Sequence, residues 1–299
     1  MTLSGTGSDF DALIAAKAGG EISFDGDFIA VVGTTDADSL VAVDNATTGA
    51  VRSTNLSDYV NTIVNMNQTV LAGQVNNSNS DVTTTIEGGI GNDTFNVDSG
   101  TDIITLLGGD NSGAGGDSDV LVVSSGATVN AANINAFTAT TASSNAGTAN
   151  LSTKAAGGTI NMAASNSGAY NINGGAGTDI LTGGSGNDVF TVAATTEADG
   201  DTINGGAGND IINLSTGTHT LNNDARLSNV ETIVANSSGS TLILTNQAEG
   251  FTLTGGAGTD NFTGGSGADV ITGGAGNDTF AGGTGNDTFN IDSGTDTIS

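Results

Sequence analysis

A nine-residue unit, Gly-Gly-x-Gly-x-Asp-x-U-x with U large and apolar, recurs along the chain, and so short a period leaves few folds open besides a stack of small turns and strands. Eight copies are intact, beginning at Gly88, Gly174, Gly183, Gly205, Gly255, Gly264, Gly273 and Gly282, and the last four run in tandem without a gap. Worn copies keep the frame: residues 97–105 retain Gly100, Asp102 and Ile104, residues 196–204 retain Asp201 and Ile203, and residues 291–299 retain Gly294, Asp296 and Ile298. A longer echo joins residues 88–105 to residues 282–299, which agree at 14 of 18 positions and point to duplication of a larger block. Glycine supplies 48 of 299 residues, yet proline is absent and no Gly-X-Y period exists, which excludes a collagen-type helix and leaves turns as the glycines' role.

Glycines at the first, second and fourth positions open backbone torsions denied to other residues, so the six-residue segment curls tightly and aims carbonyl oxygens inward. The three residues that follow read as a short strand. Alternation along it points U into a core and its neighbours outward. The U positions are Phe95, Leu181, Phe190, Ile203, Ile212, Phe262, Ile271, Phe280, Phe289 and Ile298. One unit makes half a coil, so units two apart stack on the same edge at the strand spacing of about 4.8 Å. The expected fold is all-β, a parallel β-roll or β-helix solenoid.

Stacking of this kind brings aspartates together, and the expected pairs are Asp260 with Asp278, Asp269 with Asp287, Asp278 with Asp296, Asp179 with Asp201, and Asp188 with Asp210. Carboxylates this close repel unless a cation lies between them. Ca²⁺ accepts a shell made only of carboxylate and carbonyl oxygens, whereas Mg²⁺ demands octahedral geometry and keeps its waters. The candidate calcium ligands are therefore Asp179, Asp188, Asp201, Asp210, Asp260, Asp269, Asp278, Asp287 and Asp296, together with the turns opening at Gly174, Gly183, Gly205, Gly255, Gly264, Gly273 and Gly282. Asp93 joins them from an isolated copy, in which it and Asp102 fall on opposite edges and each needs another partner.

The charge balance agrees with cations as partners. Only Lys17, Arg52, Lys154 and Arg226 face 32 acidic residues, and a net charge of -28 repels nucleic acid and anionic membrane surfaces. Acidic chains with 4% aromatics are often disordered, but here the carboxylates recur at fixed spacing beside regular apolar positions, which fits order that depends on a ligand. With no cysteine there is no disulfide framework, and a metal is the remaining staple. The first 20 residues lack a basic start followed by an apolar run, and no stretch of about 18 apolar residues occurs. Export would then use a route that reads no N-terminal signal, and no membrane insertion is expected.

Residues 1–87 lack the repeat and read as a mixed α/β capping or anchoring region. Asp9 begins a capped helix ended by Gly19 and Gly20, a second helix is suggested by Leu56, Tyr59, Val60, Ile63 and Val64, and EISF, FIAVV and SLVAV read as strands. Residues 88–173 read as degenerate β-helix rungs with one intact repeat, and residues 174–299 as the metal-binding roll.

The eight intact units, which cover 72 of 299 residues, resemble the RTX (repeats-in-toxin) nonapeptide. The resemblance implies a parallel β-roll with calcium in the turns, and type I secretion. A weaker, compositional likeness of LSNVETIVANSSGSTLIL, residues 227–244, and the repeats after it is to bacterial surface-layer proteins that carry RTX repeats.

His219, the only histidine, is assigned to the aspartate slot of a decayed repeat at 214–222, and Glu231 to a structural place in a rung. No HExxH helix, GxSxG elbow or cysteine nucleophile is present, and no Gly-x-Gly pattern has the strand and helix context of a dinucleotide site. The expectation is a non-enzymatic, calcium-binding structural protein of an extracellular surface layer, sheath or filament, assembling with itself or with other surface proteins. Alternatives are a virion appendage or decoration protein, an adhesin that binds glycans, and the RTX accessory segment of a secreted enzyme.

Overall fold

The computed structural model describes residues 92–98, 100–104, 107–108, 118–193 and 200–299 in full, and as backbone strands Thr2–Gly5, Ile29–Val32, Val51–Ser53, Ile63–Asn65, Gln74–Asn77 and Thr84–Glu87. Two compact units divide at Asn150 and Leu151. Among the described residues every paired strand is parallel and no helix occurs, so each unit is built as a parallel β-solenoid.

In the unit Met1–Asn150, Thr2–Gly5, Ile29–Val32 and Val51–Ser53 pair in one small sheet. A second column stacks Ile63–Asn65, Thr84–Glu87, Thr101–Ile104 and Thr128–Ile134, with Val64, Ile86, Ile104 and Ala131 in register. A third stacks Gln74–Asn77, Thr94–Val97 and Val120–Val123, with Val75, Phe95 and Leu121 in register. The expected helix at Asp9–Gly20 and the strands EISF and SLVAV lie outside the described residues, while Ile29–Val32 realises the FIAVV strand. Ile63 and Val64 overturn the helical reading of their segment. They occupy a strand because parallel pairing with Thr85 and Ile86 satisfies their backbone, and helical spacing of apolar residues is a weaker demand than a waiting sheet edge.

In the unit Leu151–Ser299 one column runs from Asn171–Gly175 through Val189–Val192, Ile211–Leu214, Thr232–Val234, Thr252–Thr254 and Val270–Thr272 to Thr288–Asn290. Its core-facing register is Ile172, Phe190, Ile212, Ile233, Leu253, Ile271 and Phe289. Opposing columns carry Ile160, Leu181, Ile203 and Leu227, and then His219, Leu242, Phe262, Phe280 and Ile298. Every expected U residue of this unit thus falls into a stacked row. Those inside the stack are essentially inaccessible, from Leu181, Phe190 and Phe280 at 0% to Phe262 at 1%. Each such side chain contributes roughly 1.5–3 kcal/mol on burial. Phe280 sits 6.3 Å, ring centre to ring centre, from both Phe262 and Phe289, so aromatic rows lock consecutive coils.

Candidate metal centre

The aspartates form ladders. The backbone N–H of Asp260 donates to Asp278 Oδ1 at 2.8 Å, that of Asp269 to Asp287 Oδ1 at 3.0 Å, and that of Asp278 to Asp296 Oδ1 at 3.1 Å. Asp179 N–H donates to Asp201 Oδ1 at 2.8 Å and Asp188 N–H to Asp210 Oδ1 at 2.7 Å. All five expected pairs are therefore brought together. The aspartate slot continues into coils without the repeat: Tyr170, Ser240 and Phe251 donate their N–H groups to Asp188, Asp260 and Asp269. One oxygen of each carboxylate is thus committed to a neighbouring coil's backbone.

The second oxygen faces the turn. Asp188, Asp260 and Asp269 use Oδ2 to accept the N–H of Gly184, Gly256 and Gly265, the second glycine of their own repeats. The Oδ2 atoms of Asp210, Asp278 and Asp296 are buried with no hydrogen-bond partner. Beside Asp210 Oδ2 lies a main-chain carbonyl: a Cβ placed on Gly205 would fall against both Asn229 O and that oxygen. A Cβ placed on Gly255 would fall against both Gly273 O and Asp260 Oδ2, on Gly264 against Gly282 O and Asp269 Oδ2, and on Gly183 against Gly205 O and Asp188 Oδ2. The first glycine therefore clears a cradle in which a carboxylate oxygen and the next coil's carbonyl oxygen converge.

This revises the reading of the glycines. Second and fourth positions need the torsion in four of the seven repeats of the unit Leu151–Ser299, as at Gly274 with φ +86° and Gly276 with φ +152°. First positions such as Gly255 and Gly264 need the space instead.

An oxygen-only cradle with uncommitted carboxylate oxygens suits a hard cation, and calcium in particular. Among the described residues no three His, Cys, Asp or Glu side chains converge, so most of any such ion's ligands must be main-chain carbonyls. Without a cation, burial pushes Asp188 up to about 6; the N–H groups of Tyr170 and Gly184 oppose this, and the Asp210 carboxylate adds to it. Burial likewise raises Asp210, Asp260 and Asp269, with repulsion from Glu231, Asp278 and Asp287 adding to it.

Asp93 has a partner the repeat pattern does not reveal. Its N–H donates to Asp119 Oδ1 at 2.9 Å, while Asp119 Oδ2 accepts the N–H of Gly108 at 2.8 Å. Asp119 has no GGxG before it; its one sequence signal is the apolar run VLVV that follows it, as U-bearing strands follow the other aspartates. Glu231 proves to occupy an aspartate slot, with Oε2 accepting the N–H of Asp210 at 2.7 Å.

His219 is not in an aspartate slot. It pairs in register with Leu242, in the row of Phe262 and Phe280, and is buried in the core; the aspartate position of its coil is Gly217, opposite Ser240. Counting nonapeptides across a segment whose turns differ in length shifted the frame by two residues, which in a strand keeps the same face. Burial lowers the His219 pKa, so its imidazole is neutral and donates through Nε2 to Ser215 O at 2.9 Å.

A parallel β-solenoid whose turns are lined by stacked aspartates and glycine carbonyls defines the class of the protein: a repeat-built β-roll with cation-accepting turns. The family model of the RTX calcium-binding nonapeptide repeat matches the chain in four copies, at residues 81–112, 166–191, 195–218 and 254–289, and those stretches are similar to that repeat. A search of curated proteins finds no match.

Proposed function

We propose that the chain is a non-enzymatic structural protein of an extracellular surface assembly, such as a surface layer, sheath or filament, whose rigidity depends on calcium. The observation that carries this reading is the acceptor lining of the stacked turns, where carboxylates repeat along each edge with no basic side chain among the ladder hydrogen bonds. Asp179, Asp188, Asp201, Asp210, Asp260, Asp269, Asp278, Asp287 and Asp296 would hold the ions, with carbonyls of Gly205, Gly273 and Gly282 completing the shell. Bound calcium would offset the carboxylate repulsion and tie consecutive coils together. Sites with affinities of about 10⁻⁴ to 10⁻³ M, as in extracellular calcium modules, would fill outside a cell and stay empty within it. Residues 1–87 would anchor the assembly.

Electron microscopy of the purified protein with calcium and after chelation tests the proposal. Sheets or filaments that form with calcium and dissolve without it support the reading. Monodisperse particles in both conditions, or turnover of a substrate panel, would replace it with a soluble binding module or an enzyme segment.

A further inference from the structure

Two kinds of turn alternate in the unit Leu151–Ser299. In nonapeptide turns the cradle is lined by acceptors, an aspartate Oδ2 and a glycine carbonyl. In turns without the nonapeptide, main-chain carbonyls accept hydrogen bonds from buried side chains instead. Thr153 Oγ1 donates to Gly174 O. Tyr170, which stands in the aspartate slot, places its hydroxyl 2.6 Å from Ser165 Oγ and donates to Ser167 O at 3.4 Å. Ser240, also in that slot, donates to Ser215 O at 3.1 Å, the oxygen that His219 Nε2 reaches at 2.9 Å. Gln247 Nε2 donates to Leu221 O. Thr153, at 7%, is the most accessible of these five.

His219 and Gln247 show which property was selected. Each has one donor and one acceptor end; the donor end finds a carbonyl, while His219 Nδ1 and Gln247 Oε1 are buried without a hydrogen bond. Leaving a buried acceptor unsatisfied is costly, so these turns must gain from a donor at that place. A donor puts the positive end of an N–H or O–H dipole against a carbonyl oxygen, which is what a cation does in the flanking turns.

We propose that His219, Ser240 and Gln247 are built-in substitutes for calcium, making residues 214–251 a calcium-independent clasp between the calcium-dependent runs at 174–213 and 255–290. Thr153 and Tyr170 play the same part before the first run. The inference rests on the calcium reading of the nonapeptide turns and assigns the turns that do not share it.

Hydrogen exchange on the unaltered full chain, followed as calcium is chelated, is the first test. Amides of Leu221 and Gln247, bonded to Ile243 O and Leu244 O within the clasp, should stay protected at calcium levels where those of Gly255 and Gly264 exchange. Simultaneous loss of protection overturns the clasp. Persistence of all four without calcium instead defeats the calcium reading itself, so the two failures are distinguishable.

Gln247→Glu gives the second test, because it replaces the donor by a carboxylate of the same shape and converts the turn to acceptors only. It should bind one more calcium than the unaltered chain in equilibrium dialysis, and its clasp should exchange with the flanking runs on chelation. Gln247→Met, with neither donor nor charge, should gain no calcium. A folded Gln247→Glu protein with unchanged stoichiometry refutes the proposal; if that variant fails to fold even in calcium, the exchange order of the unaltered chain decides.

Discussion

Residues 88–105 and 282–299 agree at 14 of 18 positions, yet their equivalent side chains live in different surroundings. Phe95, Val97 and Ile104 are each 0% accessible, whereas Phe289 is half-buried, Ile291 is 55% exposed and Ile298 51%. The difference lies in the neighbours. Thr94–Val97 is flanked by Gln74–Asn77 and Val120–Val123, and Thr101–Ile104 by Thr84–Glu87 and Thr128–Ile134. Among the described strands, Thr288–Asn290 pairs only with Val270–Thr272, and Thr297–Ile298 only with Thr279–Ala281. A rung's sequence specifies a turn and a strand, but a solenoid's stability comes from the interfaces between rungs.

The largest effect should come from removing calcium. A site absent from the unfolded chain turns its binding energy into folding energy, and stacked carboxylates oppose compaction until cations offset them. Titrating calcium back into stripped protein should restore β circular dichroism cooperatively, with residues 282–299 recovering exchange protection after residues 88–105, which rungs cover on both sides. Recovery in the reverse order would break the comparison.

Truncating equivalent isoleucines sharpens it without metal. Ile104→Ala should cost about 2–5 kcal/mol through lost burial and a cavity. Ile298→Ala, half in solvent, should cost under about 1 kcal/mol. Equal shifts in a denaturant midpoint would show that both copies are covered alike in solution.

Equivalent aspartate slots come next. Asp278→Ala orphans the N–H of Asp260 and removes the buried Oδ2, for about 1–3 kcal/mol plus a lowered calcium stoichiometry. Asp278→Asn should keep most of the hydrogen bonding while still losing calcium, so the two variants separate ladder from ligand. Asp93→Ala should lower stoichiometry less than Asp278→Ala, since its ladder partner Asp119 follows no nonapeptide turn. Isothermal titration reads all three.

The smallest effect is on pH. Asp188 sits at about 6 in the calcium-free fold against about 3.9 in an unfolded chain, so between those values the fold binds more protons. Its contribution to stability is therefore complete below about 3.9 and is lost as pH rises through about 6. Calcium-free protein should grow more stable on acidification from pH 7 to 5, while calcium affinity falls over the same window as protons compete. A calcium-free melting temperature that drops across that window would contradict the burial of Asp188.

Much of this was legible before any coordinates. The spacing of 18 residues between Asp260, Asp278 and Asp296 already implies which carboxylates meet, because a fixed half-coil length turns sequence distance into stacking, while Asp188 and Asp210, 22 apart, are matched by their places in the repeat frame. The partnership of Asp93 with Asp119, 26 residues on, was not legible, since no repeat frame leads from residues 97–105 to Asp119. Nor was the core position of His219, because unequal turns between 214 and 251 break the arithmetic that works in the tandem.

The sequence by itself determined the turn, the strand, the inward U and the aspartate edge, all of which depend on residues within one nonapeptide or on its period. Only the tertiary structure decided why the first glycine must lack a side chain, and which turns are lined by acceptors and which are closed by Thr153, Tyr170, Ser240, His219 or Gln247. Tyr170 and His219 reach carbonyls of their own coil, but for Thr153, Ser240 and Gln247 the outcome depends on which carbonyl a neighbouring coil, 21 to 26 residues away, brings to within hydrogen-bonding distance. That approach is set by the stacking of whole coils, and no single repeat encodes it.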